Sequence, residues 1–125
     1  MGLTHVTATV RNIRDPSRAY SALFLIDTGA YDSLIPAEGA EALGVDAVGV
    51  AECELANGTQ QKFPFAICQI EFMGEITGGR VLFGPSGVEP ILGVTALESV
   101  GISVDPRTET LRRLPAIPLK ARPGS

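Results

Sequence analysis

The residues best equipped for chemistry in this 125-residue chain are Asp27, Thr28 and Gly29, which follow directly on the apolar run Phe24-Leu25-Ile26. A lone carboxylate at the end of a buried strand is costly unless something bonds it. Gly29 permits a tight loop and leaves backbone N–H groups free to bond the carboxylate. The pattern predicts an Asp presented at a loop tip and steadied by Thr28 and the backbone. By itself the tripeptide fits a plain strand-to-turn junction equally well.

What the chain lacks narrows the chemistry. It has one histidine, His5, and two cysteines, Cys53 and Cys68. A structural zinc needs four Cys/His ligands, so a metal site of that kind is excluded for one chain, and no cofactor is expected. His5 falls in the predicted first strand, which disfavours a Ser-His-Asp or Cys-His catalyst. It is expected to be a surface residue. The cysteines are expected to be reduced thiols within or beside a hairpin. Arg112-Arg113 is expected to be a solvated face.

The elements that must position Asp27 follow from hydrophobic period and breaker residues. Val6, Ala8 and Val10 alternate with Thr7, Thr9 and Arg11, which predicts a half-buried strand. Asn12 to Ser17 is a turn, and Tyr20 to Ile26 is a more fully apolar strand that runs into Asp27. Leu34-Ile35 is a very short strand. A helix from Ala37 to Leu43 opens after Pro36 and stops at Gly44. Val48 to Leu55 and Lys62 to Phe72 are strands about Asn57-Gly58, a strong hairpin signal. Past a turn at Gly74 come a strand from Arg80 to Phe83, a loop at 84–87 and apolar Ile91-Leu92. A short helix from Val94 to Val100 ends at Gly101. Ile102 to Val104 and Thr110 to Arg112 flank Asp105-Pro106-Arg107 as another hairpin. The sum is a mainly β fold with two short helices and no tandem repeat.

Composition agrees. Gly 14 and Pro 9 favour turns and short strands over a helical bundle. The length predicts one domain, residues 1–114, followed by a Pro-rich tail, 115–125, holding Pro115, Pro118 and Pro123. The net charge of −4 argues against nucleic acid and against a polybasic membrane contact. No apolar run approaches the ~18 residues of a membrane span, and the start lacks a signal-peptide pattern. A cytoplasmic location is the expectation.

Context then sharpens Asp27. Gly93, in Ile91-Leu92-Gly93, follows it by 66 residues and precedes a helix. Together with the Asn57-Gly58 hairpin and the stretch Val81-Leu82-Phe83-Gly84-Pro85, this resembles the retroviral-type, retropepsin-like aspartic proteases over about residues 4 to 114. That resemblance implies a single-lobe, closed β barrel with a flap hairpin. It implies an aspartic endopeptidase that hydrolyses peptide bonds with a water-activating pair of carboxylates. Asp32 lacks the Thr-Gly context, so the second carboxylate is expected from another copy of Asp27 across a homodimer. One Asp27 would take a proton from the bridging water while the other, protonated, polarises the scissile carbonyl. Thr28 inherits a bond across the dyad, and Gly29 a bond to substrate backbone.

By position in the resemblance, the flap tip is Leu55 to Thr59, with Ala56, Asn57 and Gly58 over a polypeptide substrate. Pocket walls fall to Ala30, Tyr31, Leu34, Val88, Ile91 and Val94, mostly apolar. Tyr31 departs from the acidic residue of many viral members. Val94 departs from the Arg that joins an interface ion-pair network in viral enzymes. Thr110 to Leu114 is a candidate interface strand. The alternatives are a non-catalytic dimerisation or peptide-binding module of the same fold, and a protease domain active only with a partner.

Overall fold

A computed structural model describes residues 4–55 and 57–114. Ala56 and the tail 115–125 lie outside the described residues. Side-chain alternation builds the first strand, β1 (His5–Arg11): Ala8 and Val10 are buried while His5 and Thr7 face solvent. β2 (Ala19–Asp27) pairs antiparallel with β1, Ala8 opposite Ala22. Three-residue β3 (Ser33–Ile35) leads into α1 (Ala37–Leu43). Gly44 ends that helix in the left-handed region, φ 63°, where its N–H reaches the Ala40 and Glu41 carbonyls. Arg18 covers the same end, donating to the Glu41 and Ala42 carbonyls at 3.1 and 3.2 Å.

β4 (Gly49–Glu54) and β5 (Gln60–Phe72) form a long hairpin, followed by β6 (Glu75–Phe83), β7 (Ile91–Gly93) and α2 (Val94–Ser99). β8 (Ile102–Asp105) and β9 (Thr110–Arg113) make a separate two-stranded ribbon. Six strands close on themselves in the order β1-β2-β7-β3-β6-β5, and β1 rejoins β5 through Ala8 opposite Phe72. The fold is a mainly β, closed six-stranded barrel with two short helices, the single-lobe architecture of retropepsin-like proteins. Phe24, Ile35, Leu43, Ile70, Leu92, Leu97 and Ile102, each at most 2% exposed, fill its core with residues from strands and both helices.

β6 starts at Glu75, five residues before the Arg80 expected from the sequence. Gly78-Gly79 hide it, because glycine carries little strand signal. In the barrel these glycines pair with Gln69 and Cys68. The turn before β6 is Met73-Gly74, both at positive φ (53° and 76°), as a two-residue hairpin with the right-handed twist requires. The Asn57-Gly58 hairpin instead spans 55–59. Gly58 alone of its described residues takes positive φ, and Asn57 Oδ1 accepts the Thr59 N–H at 2.9 Å.

β5 uses both faces. Ala66, Cys68, Ile70 and Phe72 point into the barrel, while Phe63 and Phe65 point the other way and meet Ala51, Cys53, Leu34 and Leu82 in a second, small cluster. Residues 60–64 of β5 pair with β4 alone, so the hairpin projects from the barrel as an arm.

Candidate active site

Asp27 ends β2 and stands beside Gly93, its parallel partner at the end of β7. Its own loop holds its carboxylate. The Gly29 N–H donates to Asp27 Oδ1 at 2.9 Å, and the Ala30 N–H donates to the Asp27 carbonyl at 3.1 Å. A Cβ on Gly29 would sit 3.2 Å from that Oδ1, so glycine leaves the bond its room.

The loop is locked from beneath. Residues 28–32 carry the chain from β2 to β3 across the end of β7, which lies between them. A Cβ on Gly93 would lie 2.5 Å from the Tyr31 carbonyl oxygen and 2.6 Å from the Asp32 backbone, so only glycine lets the loop cross so closely. The Gly93 N–H donates to the buried Ser33 Oγ at 3.1 Å. The first N–H groups of α2 have no partner inside the helix. They donate instead to the loop: Val94 to the Ala30 carbonyl at 2.8 Å and Thr95 to the Tyr31 carbonyl at 3.2 Å. Gly93 and the first turn of α2 therefore fix the Asp27 loop, by the close crossing at Gly93 and by the bonds from Val94 and Thr95.

The second carboxylate of this loop, Asp32, is committed elsewhere. Arg80 Nε approaches Asp32 Oδ2 at 3.4 Å, and the same guanidinium lies 4.2 Å from the Phe65 ring centre. The Phe65 ring fits because Gly49 has no side chain; a Cβ there would fall 2.8 Å from it.

These bonds gather Asp27, Gly29, Ala30, Tyr31 and Val94 in one place. Thr28 and Gly29 are exposed, and Tyr31 is 80% exposed, a large side chain open to solvent four residues after Asp27. Ile91 pairs with Leu25 and Leu34, and Leu34 and Val88 are neighbours across Gly84. Asn57 and Gly58 stand apart at the hairpin tip, where the described bonds are internal: Gly58 N–H to the Leu55 carbonyl and Leu55 N–H to the Thr59 carbonyl. Sequence reasoning missed Ser33, Arg80 and Phe65 as neighbours of the site. A cation two residues before Leu82, on an apolar strand, was the available signal for Arg80.

The remaining chemistry-bearing residues have other roles. His5 bonds Glu89 at 3.1 Å on the surface. Cys53 and Cys68 are free thiols, and burial pushes Cys68 up to about 11. Arg113 is not merely solvated: it pairs with Glu75 and donates to the Met73 carbonyl at 2.8 Å, tying β9 to the β5–β6 turn. Among the described residues no group of three or more His, Cys, Asp or Glu could hold a metal ion, and no helix is long and apolar enough to cross a membrane.

The sequence model of a family described as gag-polyprotein putative aspartyl protease matches residues 19–99, well over half of the chain. The match runs from β2 through α2 and so contains the whole Asp27 loop and its Gly93 foundation. No curated protein matches the chain.

Proposed function

Because the chain belongs to the gag-polyprotein aspartyl protease family, we propose that it is an aspartic endopeptidase whose active site is completed by a second copy of Asp27 in a homodimer. The observation that carries this reading is the Asp27 carboxylate, held by the Gly29 N–H in a loop bonded to Gly93 and α2. A group so fixed can activate a water without spending energy on its own ordering.

Each protomer supplies one such carboxylate. Asp32 is engaged by Arg80, which supports drawing the second acid from another copy. Exposed Thr28, Gly29 and Tyr31 around Asp27 are the surface such a copy would cover. Two carboxylates at close range cannot both ionise, so the pair holds one proton; aspartic proteases are the reference case. The ionised Asp27 takes a proton from the water between them, and the protonated one donates to the scissile carbonyl. The resulting gem-diol collapses as a proton passes to the amide nitrogen, releasing the two products. The β4–β5 hairpin is the element that would close over the peptide, with Asn57 and Gly58 at its tip.

Peptide-library cleavage between about pH 3.5 and 7, where a shared-proton pair operates, tests this with the wild type and Asp27→Asn. Cleavage by the wild type alone is expected. Failure of both to cut at high protein concentration would leave a peptide-binding or partner-dependent role.

A further inference from the structure

We infer that Arg80 forms an acid-selecting subsite, so that preferred substrates carry Asp or Glu two residues from an apolar side chain. This rests on the endopeptidase reading above and names the substrate class of that same site.

Arg80 and Leu82 are two residues apart on β6 and therefore share a face. That face changes character along its length. Leu82 is 3% exposed beneath Ala51 and Phe63 of the hairpin, with Leu34 packed alongside. Arg80 is open, its side chain 44% exposed, next to Asp32 of the Asp27 loop. A peptide lying between hairpin and loop would not reach buried Leu82 but would meet the half-buried rim of this patch, Leu34 and Phe65, and then the cation. In an extended peptide, side chains two residues apart point the same way at roughly 6.6 Å spacing, the same step that separates Arg80 from the Phe65–Leu82 pair along the sheet.

The guanidinium is held ready for a ligand. Stacking on Phe65 and the ion pair to Asp32 restrict its rotamers, so little entropy is left to lose on binding. The ion pair is made through Nε, which leaves the fork of the two terminal amino groups for a second carboxylate. Beside it opens a cavity of about 30 Å³, lined in part by Tyr31, Asp32, Gly78, Gly79 and Arg80. The missing side chains of Gly78 and Gly79 leave room for a small polar group. An acidic ligand is favoured over a basic one because Arg80 is the more exposed partner of the pair, 44% against 24% for Asp32, so an arriving side chain meets the cation first.

The test uses peptides cut by the wild type, each remade with Glu, Gln or Lys at the positions two residues from the apolar residues flanking the cut. At one such position kcat/KM is expected to favour Glu over Gln by about three- to fivefold, the scale of a partly exposed ion pair. The preference should shrink toward unity near 1 M salt, where screening acts within about 3 Å. Arg80→Gln should abolish it while still cutting the Gln peptide, and Arg80→Lys should keep part of it. Equal rates for Glu, Gln and Lys at every position would overturn the inference and leave the endopeptidase reading intact. So would a preference for Lys, or an unchanged Glu preference in Arg80→Gln. A wild type that cuts no peptide overturns both.

Discussion

The barrel core and the cluster beneath the hairpin are built from the two faces of one strand, and they differ in kind. Ala66, Cys68, Ile70 and Phe72 of β5 enter a core closed on all sides by six strands and two helices. Phe63 and Phe65, a few residues earlier, join a patch of three buried residues, Ala51, Phe63 and Leu82, with Leu34, Cys53 and Phe65 half-buried around it. The barrel carries the bonds that hold the Asp27 loop. The patch anchors an arm bonded along residues 60–64 to β4 alone. Few buried contacts mean a low local cost of opening, which a segment that must admit a peptide requires.

A first way to break that division is Gly93→Ala, which strikes the point where barrel and site meet. The added Cβ would lie 2.5 Å from the Tyr31 carbonyl. Urea denaturation should show a loss of about 3 kcal/mol, and cleavage by the remaining folded protein should vanish as the loop shifts. Leu43→Ala, wholly buried in the barrel core, should cost about 3 kcal/mol as well. Yet kcat/KM per folded molecule should stay within about twofold, because none of the described hydrogen bonds that hold the Asp27 loop involves a residue of α1. Phe63→Ala should do the reverse. Its patch is open on one side and can collapse, so about 1 kcal/mol of stability is expected to go, with about a tenfold drop in kcat/KM.

The two thiols give the finest comparison, one in each region. Burial moves Cys68 from its ordinary 9.0 to about 11. The folded state therefore keeps that proton after the unfolded chain has lost it. Stability should be unaffected below about pH 9 and fall as pH rises from 9 to 11. Cys68→Ala should remove that part of the slope. Cys53 is also raised, by burial first and then by Asp32, but it is only half-buried. A thiol reagent should label Cys53 in the native protein at a rate that follows hairpin opening, and Cys68 only on global unfolding.

Local pattern carried most of this fold into the sequence. Alternation gave β1, Pro36 and Gly44 bounded α1 to the residue, and Asp105-Pro106-Arg107 marked the β8–β9 ribbon. Asp27-Thr28-Gly29 and Ile91-Leu92-Gly93 were visible as motifs. Their physical link was not, because it is a backbone crossing between residues about 60 apart in the chain. The hidden parts share that cause. Gly78-Gly79 extend β6 only because Gln69 and Cys68 stand opposite. Arg80 reaches Asp32 and Phe65 only once the barrel has closed, and Ser33 is a ligand of the Gly93 N–H only because β3 lies against β7.

The measurement that bears most directly on the central claim titrates Asp27→Asn chain into a fixed amount of wild type and follows peptide cleavage. If catalysis needs two copies of Asp27, mixed dimers are inactive and cleavage falls steadily as the variant is added. Cleavage that stays constant, whatever the excess of variant, would contradict the account and locate the whole of the chemistry in a single chain.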